Sequence, residues 1–124
     1  MFYLTHLIHW NQISSQNRLY DSLDIILTNT YNICMQVEWN PEKAKSNLQK
    51  HGVSFSDAEA VLFDPYALSF EDQSAQGEQR FIIMGMDHLW RLLVVVYTYR
   101  GDNIRLISAR PATPKERREY ETGI

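Results

Sequence analysis

Residues 91–121 read RLLVVVYTYRGDNIRLISARPATPKERREYE, and their order sets the fold. Leu92–Val96 is a solid apolar run, the pattern of a strand that holds a sheet in place. Gly101-Asp102-Asn103 is a turn signal, so Leu92–Tyr99 and Ile104–Arg110 are expected to pair as an antiparallel hairpin. Thr113 then caps a helix, with Pro114 at its first position and Glu116 at its third, a capping box. A simple core does not require Arg100, Arg105, Arg110, Arg117 and Arg118 around such a scaffold. Cations beside a small sheet suit a phosphate backbone.

Upstream, Ala67–Phe70 and Arg80–Met86 read as two further strands joined by a polar loop with Gly77. Before them come two helix signals. Asn40-Pro41-Glu42 supplies an N-cap, a proline at the first position and an acid in the first turn, and Gly52 offers the left-handed stop. Ser54 or Ser56 caps a second helix over Ser56–Phe63, with Phe55, Ala58, Val61 and Leu62 at helical spacing and Asp64-Pro65 as the stop. Gln36–Trp39 alternates as a short strand. The expected order is β-α-α-β-β-β-β-α, an α+β fold with two N-terminal helices packed on one face of a small antiparallel sheet and a short C-terminal helix.

Residues 1–34 differ. Arg18, Asp21 and Asp24 are their only charges, and they show no clear period. They read as an N-terminal extension, with Met35 as the functional start of a domain spanning 35–124. That domain of about 90 residues buries only about two-thirds of its unfolded surface, so an obligate partner is physically useful.

Among 124 residues, 44% are hydrophobic and 22% charged, an ordinary folded composition. The net charge of −3 weighs mildly against nucleic-acid binding, although local distribution matters more than the sum. One cysteine, Cys34, excludes an internal disulfide and any cysteine-based zinc site. No run approaches the roughly 18 apolar residues of a membrane span, and the start lacks the features of a signal peptide. A cytoplasmic protein with no membrane association is expected.

Several side chains carry chemistry. Lys43, Asn47 and Lys50 are spaced to share a helix face, which is either a solvated face or a basic one. His51, beside the chain-reversing Gly52, has an unperturbed pKa of about 6.5 and suits proton transfer. Glu78 and Arg80 fall on one strand face by alternation, as an edge charge pair or as a carboxylate base beside a phosphate-binding guanidinium. Alternation also groups Ile104, Leu106, Ser108 and Arg110 on one face. Arg110 then either pairs with Glu116 or Glu119, or stabilises a phosphorane-like transition state. Arg117, Arg118 and Tyr120 carry the same ambiguity, Tyr120 as base, stacking platform or packing group. His88 and Trp90 sit in a loop that suits base stacking and equally tolerates both residues without function. There is no glycine-rich phosphate loop, nucleophile elbow or metal-ligand spacing, so no cofactor is expected.

Three segments together resemble one family: NPEKAKSNLQKHGVSFSDA at 40–58, GEQR at 77–80, and the stretch quoted at 91–121. They are similar to BrnT-type toxins, a branch of the RelE-like ribonuclease toxins of type II toxin–antitoxin systems. Asn40 stands where an aspartate is usual, and both cap a helix. Residues 1–34 have no counterpart in the family.

The resemblance implies a RelE-like α+β endoribonuclease that inhibits translation. It also implies a BrnA-like, ribbon-helix-helix, DNA-binding antitoxin, whose complex with the toxin contacts operator DNA. Carried onto this chain, the candidate residues are Lys50, His51, Arg80, Arg100, Arg110 and Tyr120. The chemistry expected is metal-free attack of an RNA 2′-hydroxyl on the adjacent phosphate. His51 or Glu78 would take the proton, Arg80 and Arg110 would bind the phosphate, and Tyr120 or Lys50 would assist the leaving group. Lys43, Lys50, Arg100 and Arg117 would bind RNA, in a cleft between the Lys50-His51-Gly52 helix end and Arg110–Tyr120. The competing expectation is a non-catalytic module that binds RNA or the antitoxin and acts as an operon co-repressor.

Overall fold

The structure, a computed structural model, describes residues 36–123. The reading of 1–34 as an extension lies outside the described residues. In chain order the elements are β1 (Val37–Glu38), α1 (Pro41–His51), α2 (Phe55–Ala58), a 3₁₀ helix (Glu59–Phe63), β2 (Leu68–Glu71), β3 (Phe81–Met86), β4 (Leu92–Arg100), β5 (Asn103–Pro111) and α3 (Pro114–Thr122).

Local chemistry explains the boundaries. The Asn40 side chain accepts from the Glu42 and Lys43 N–H groups at 2.8 and 3.2 Å, and Gly52 closes α1 at φ 70°. The second helix starts one residue earlier than expected, capped by Ser54, and splits into α2 and the 3₁₀ helix. Three residues per turn in 3₁₀ winding stack positions three apart, which keeps Ala58 and Val61 together in the core. In α3 both halves of the capping box form, Glu116 N–H to Thr113 Oγ1 at 3.2 Å and Thr113 N–H to Glu116 Oε1 at 2.8 Å.

The sheet runs β1-β5-β4-β3-β2. Its four long strands are antiparallel, but β1 pairs parallel with β5, so the sheet is mixed and not purely antiparallel as expected. Tight hairpins impose antiparallel pairing on consecutive strands. The path from β1 leads instead through α1, which leaves the strand free to pair in parallel.

Each face has its own core. On the first, Val53, Phe55, Ala58, Val61 and Leu62 meet Ile83, Leu93, Val95, Tyr97, Ile104, Leu106 and Ala109. On the second, Leu68, Met84, Leu92 and Val94 meet Ala112 and Tyr120 of the C-terminal segment.

One irregularity decides which side chains reach which face. Val96 pairs with Ser108, but Tyr97 pairs with Leu106, leaving Ile107 as the extra residue of a β-bulge. The bulge reverses the phase of β5. Ile104 and Leu106 face the first core, and beyond the bulge it is Ala109 that does so. Ser108 and Arg110 therefore face the second side, opposite to Ile104 and Leu106. The expectation that all four share one face is corrected by this single insertion.

Candidate functional site

Cross-strand registers on the second face build it in rows. Leu68, Met84, Val94 and Arg110 form one row, and Phe70, Ile82, Val96 and Ser108 the next. Thr98 opposite Arg105 begins a third. The first row lies under α3. The second is open, with Phe70 38% exposed and Ile82, Val96 and Ser108 only half-buried.

Arg80 joins the third row. The Asp72 N–H donates to the Arg80 carbonyl at 2.9 Å, so the β2–β3 ladder extends to it, and alternation from Ile82 turns its side chain to this face. Its Nε is buried and has no hydrogen-bond partner among the described residues. A buried guanidinium nitrogen without an acceptor is costly. Thr98 beside it is satisfied, donating to the Gln79 carbonyl at 2.6 Å, and Arg105 bridges Glu38 at 3.3 Å.

Glu78 and Arg100 close the far rim, paired at 3.3 Å. A hollow lined by Glu78, Gln79, Phe81, Thr98 and Tyr99 opens there. Glu78 lies in a bend with Gly77 ahead of β3, so strand alternation does not fix its face relative to Arg80.

Arg110 occupies the other end. Glu116 grips it through a two-pronged contact, Nη1 to Oε1 at 2.8 Å and Nη2 to Oε2 at 2.9 Å, and Nη1 also reaches the Pro111 carbonyl at 3.2 Å. The Arg110 hydrogen bonds, aided by Thr113 and opposed by burial, push Glu116 down to about 2. The same contact raises Arg110. Tyr120 donates its phenol to Asp64 Oδ2 at 2.7 Å. Burial, then the neighbouring Asp64, raises its pKa, so it stays protonated and offers a hydrogen bond, not a phenolate base.

The remaining sequence candidates lie elsewhere. Lys43 and Lys50 are exposed on α1, and His51 is half-buried at its end. No hydrogen bond or ion pair joins any of these side chains to Arg110 or Tyr120 among the described residues. Asn47, grouped with those lysines by spacing, is buried. Its Nδ2 donates to the Val53 and Ala109 carbonyls at 3.0 and 2.8 Å, and its Oδ1 accepts from the Ala109 N–H at 3.0 Å. Asn47 thus fixes α1 to the first side through Ala109, while the bulge turns Arg110 to the second. The expected cleft between the Lys50-His51-Gly52 end and Arg110–Tyr120 does not form. Arg117 makes a long, exposed contact with Glu121 at 3.9 Å.

Sequence reasoning missed Asp64. Read only as a helix stop, it accepts from the Met86 N–H at 2.7 Å and the Tyr66 N–H at 2.9 Å besides Tyr120. Gly85 gives it room, since a Cβ there would meet Asp64 Oδ2 at 2.9 Å. A lone glycine in a strand was the available signal. Among the described residues no group of three or more His, Cys, Asp or Glu side chains is arranged to hold a metal ion, and no helix is long and apolar enough to cross a membrane.

The second face is thus an open sheet surface that carries Arg80, Arg105 and Arg110 beside a C-terminal helix. Residues 39–116 match the family described as "Ribonuclease toxin, BrnT, of type II toxin-antitoxin system", and the chain belongs to that family. Among solved structures it is similar to the Brucella abortus ribonuclease toxin BrnT, at 26% identity and a TM-score of 0.52, over 64% of this chain and 97% of that one. No curated protein matches the chain.

Proposed function

We propose that this chain is a RelE-like, metal-independent endoribonuclease that cuts RNA in the cytoplasm and so inhibits translation. A DNA-binding, BrnA-like antitoxin of the ribbon-helix-helix type holds it in check. The observation that carries the reading is the unpartnered Arg80 Nε on an open sheet face. An RNA phosphate supplies an acceptor that the described residues do not provide.

Arg80 binds the scissile phosphate and stabilises the charge that gathers on it. Glu78, two residues away and paired with Arg100, takes the 2′-hydroxyl proton as the oxygen attacks in line. The bond to the 5′-oxygen breaks, that oxygen takes a proton from water, and a 2′,3′-cyclic phosphate remains. Arg110 lies about 13 Å farther along the strands and about 10 Å across them, and steadies a flanking phosphate. Its donors are largely committed to Glu116, so it holds the strand while Arg80 serves the reacting centre. Tyr120 braces the helix against Asp64.

Expression of the chain without a partner, with RNA 5′ ends mapped, tests this. Growth arrest with new ends supports the nuclease. Arrest without them supports the second reading, a non-catalytic RNA- or antitoxin-binding module, which the internal use of Arg110 and Tyr120 favours.

A further inference from the structure

Trp90 combines two unfavourable features at one position. Its φ is 62°, the only positive value at a non-glycine among the described residues, and it is 82% exposed. A side chain with a Cβ is strained in that region, and an indole in water forgoes burial. Next to it Leu89 is 55% exposed.

The turn that presents them is clamped. Asp87, buried, accepts from the Leu89 N–H at 3.0 Å, the Arg91 N–H at 2.8 Å and Arg91 Nε at 2.9 Å. Arg91 also bridges to Asp57 at 3.1 Å, and His88 lies 3.3 Å from the same carboxylate. The indole is therefore held outward by a rigid frame.

Charge and position argue against RNA as its target. The frame sets two carboxylates, Asp57 and Asp87, against one guanidinium, a poor surface for phosphates. Arg80, Arg100 and Arg105 stand at the opposite end of β4, about 25 Å away along the strand. An aromatic and an aliphatic side chain held out over a locally acidic base suit a polypeptide with an apolar pocket and a basic rim.

We infer that Leu89-Trp90 is an anchor for the antitoxin, on a surface separate from the RNA face. This rests on the toxin–antitoxin reading above. The probe is the purified small protein encoded beside this chain's gene, with a non-cleavable 2′-O-methyl RNA oligonucleotide as the second ligand. Trp90→Gly relieves the backbone, so its melting temperature should hold or rise. It should bind the neighbouring protein about thirtyfold or more weakly, as loss of an aromatic hot spot does. Trp90→Phe should keep that binding within about tenfold, and both variants should bind the oligonucleotide as wild type does.

Undiminished affinity of Trp90→Gly for the neighbouring protein overturns the inference, as does a loss of oligonucleotide binding in its place. A wild-type chain that does not bind the neighbouring protein overturns the antitoxin reading and this anchor together. The oligonucleotide measurement separately judges the RNA reading.

Discussion

Glu116 serves two partners three residues apart: one oxygen completes the cap of α3 at Thr113, and both grip Arg110. Because its pKa falls from 4.5 to about 2 on folding, its contribution to stability is full above about pH 4.5. That contribution is lost as the pH falls toward 2. Arg110 is 40% exposed on its side chain, so solvent screening leaves on the order of 1–2 kcal/mol. Urea unfolding of wild type and Glu116→Gln should differ by that amount at pH 6 and converge by pH 2. A gap that persists at pH 2 would mean the contact acts through packing and not through charge.

Asn47 should be among the least replaceable polar residues. Asn47→Ala strands the Ala109 N–H and two carbonyls in the interior, at a cost of about 2–4 kcal/mol. Thermal unfolding reads this directly. A loss under about 1 kcal/mol would show that water or another group satisfies these atoms.

Gly85→Ala pushes a methyl against Asp64 and Ala67, within 2.9–3.2 Å of their atoms. A cost of about 1–3 kcal/mol follows from overpacking. Tyr120→Phe removes only the phenol bond to Asp64 and should cost about 1–2 kcal/mol while leaving RNA cleavage within about fivefold. A collapse of cleavage in a folded Tyr120→Phe would make that hydroxyl a participant in the chemistry.

Arg80→Ala should lower RNA cleavage by about 100-fold or more with the fold intact, since it removes a guanidinium whose buried Nε has no partner among the described residues. Arg110→Ala should chiefly weaken RNA binding and lower stability. Single-turnover cleavage at saturating enzyme separates the two effects. The assignment fails if Arg110→Ala abolishes the saturated rate and Arg80→Ala leaves it unchanged.

Much of the scaffold was legible because its signals are local. Caps at Asn40 and Thr113, the stop at Gly52 and the turn after Arg100 depend on residues within a few positions of each other. The parallel pairing of Val37 with Ile104 was not legible, because periodicity carries no direction. Sequence spacing put Asn47 beside Lys43 and Lys50, but could not show that Ala109 waits 62 residues away to bury it. Alternation was carried back from Arg80 to Glu78, but Gly77 and Glu78 form a bend ahead of β3, where a period of two does not hold. Ser108 and Arg110 were assigned to the face of Ile104 and Leu106, from which one extra residue removes them.

That extra residue makes the register of β5 a matter of counting. Deleting Ile107 would remove the bulge and nothing else, since Leu106, Ser108, Ala109 and Arg110 would stay opposite Tyr97, Val96, Val95 and Val94. Arg110 would keep the second face and Ala109 its place in the first core. Were Ile107 instead drawn into a regular ladder, Arg110 would turn toward Val95 and Leu93, and the bulge is what prevents this. Relatives of this toxin should therefore tolerate losing this residue together with its bulge, and not its incorporation into a regular ladder.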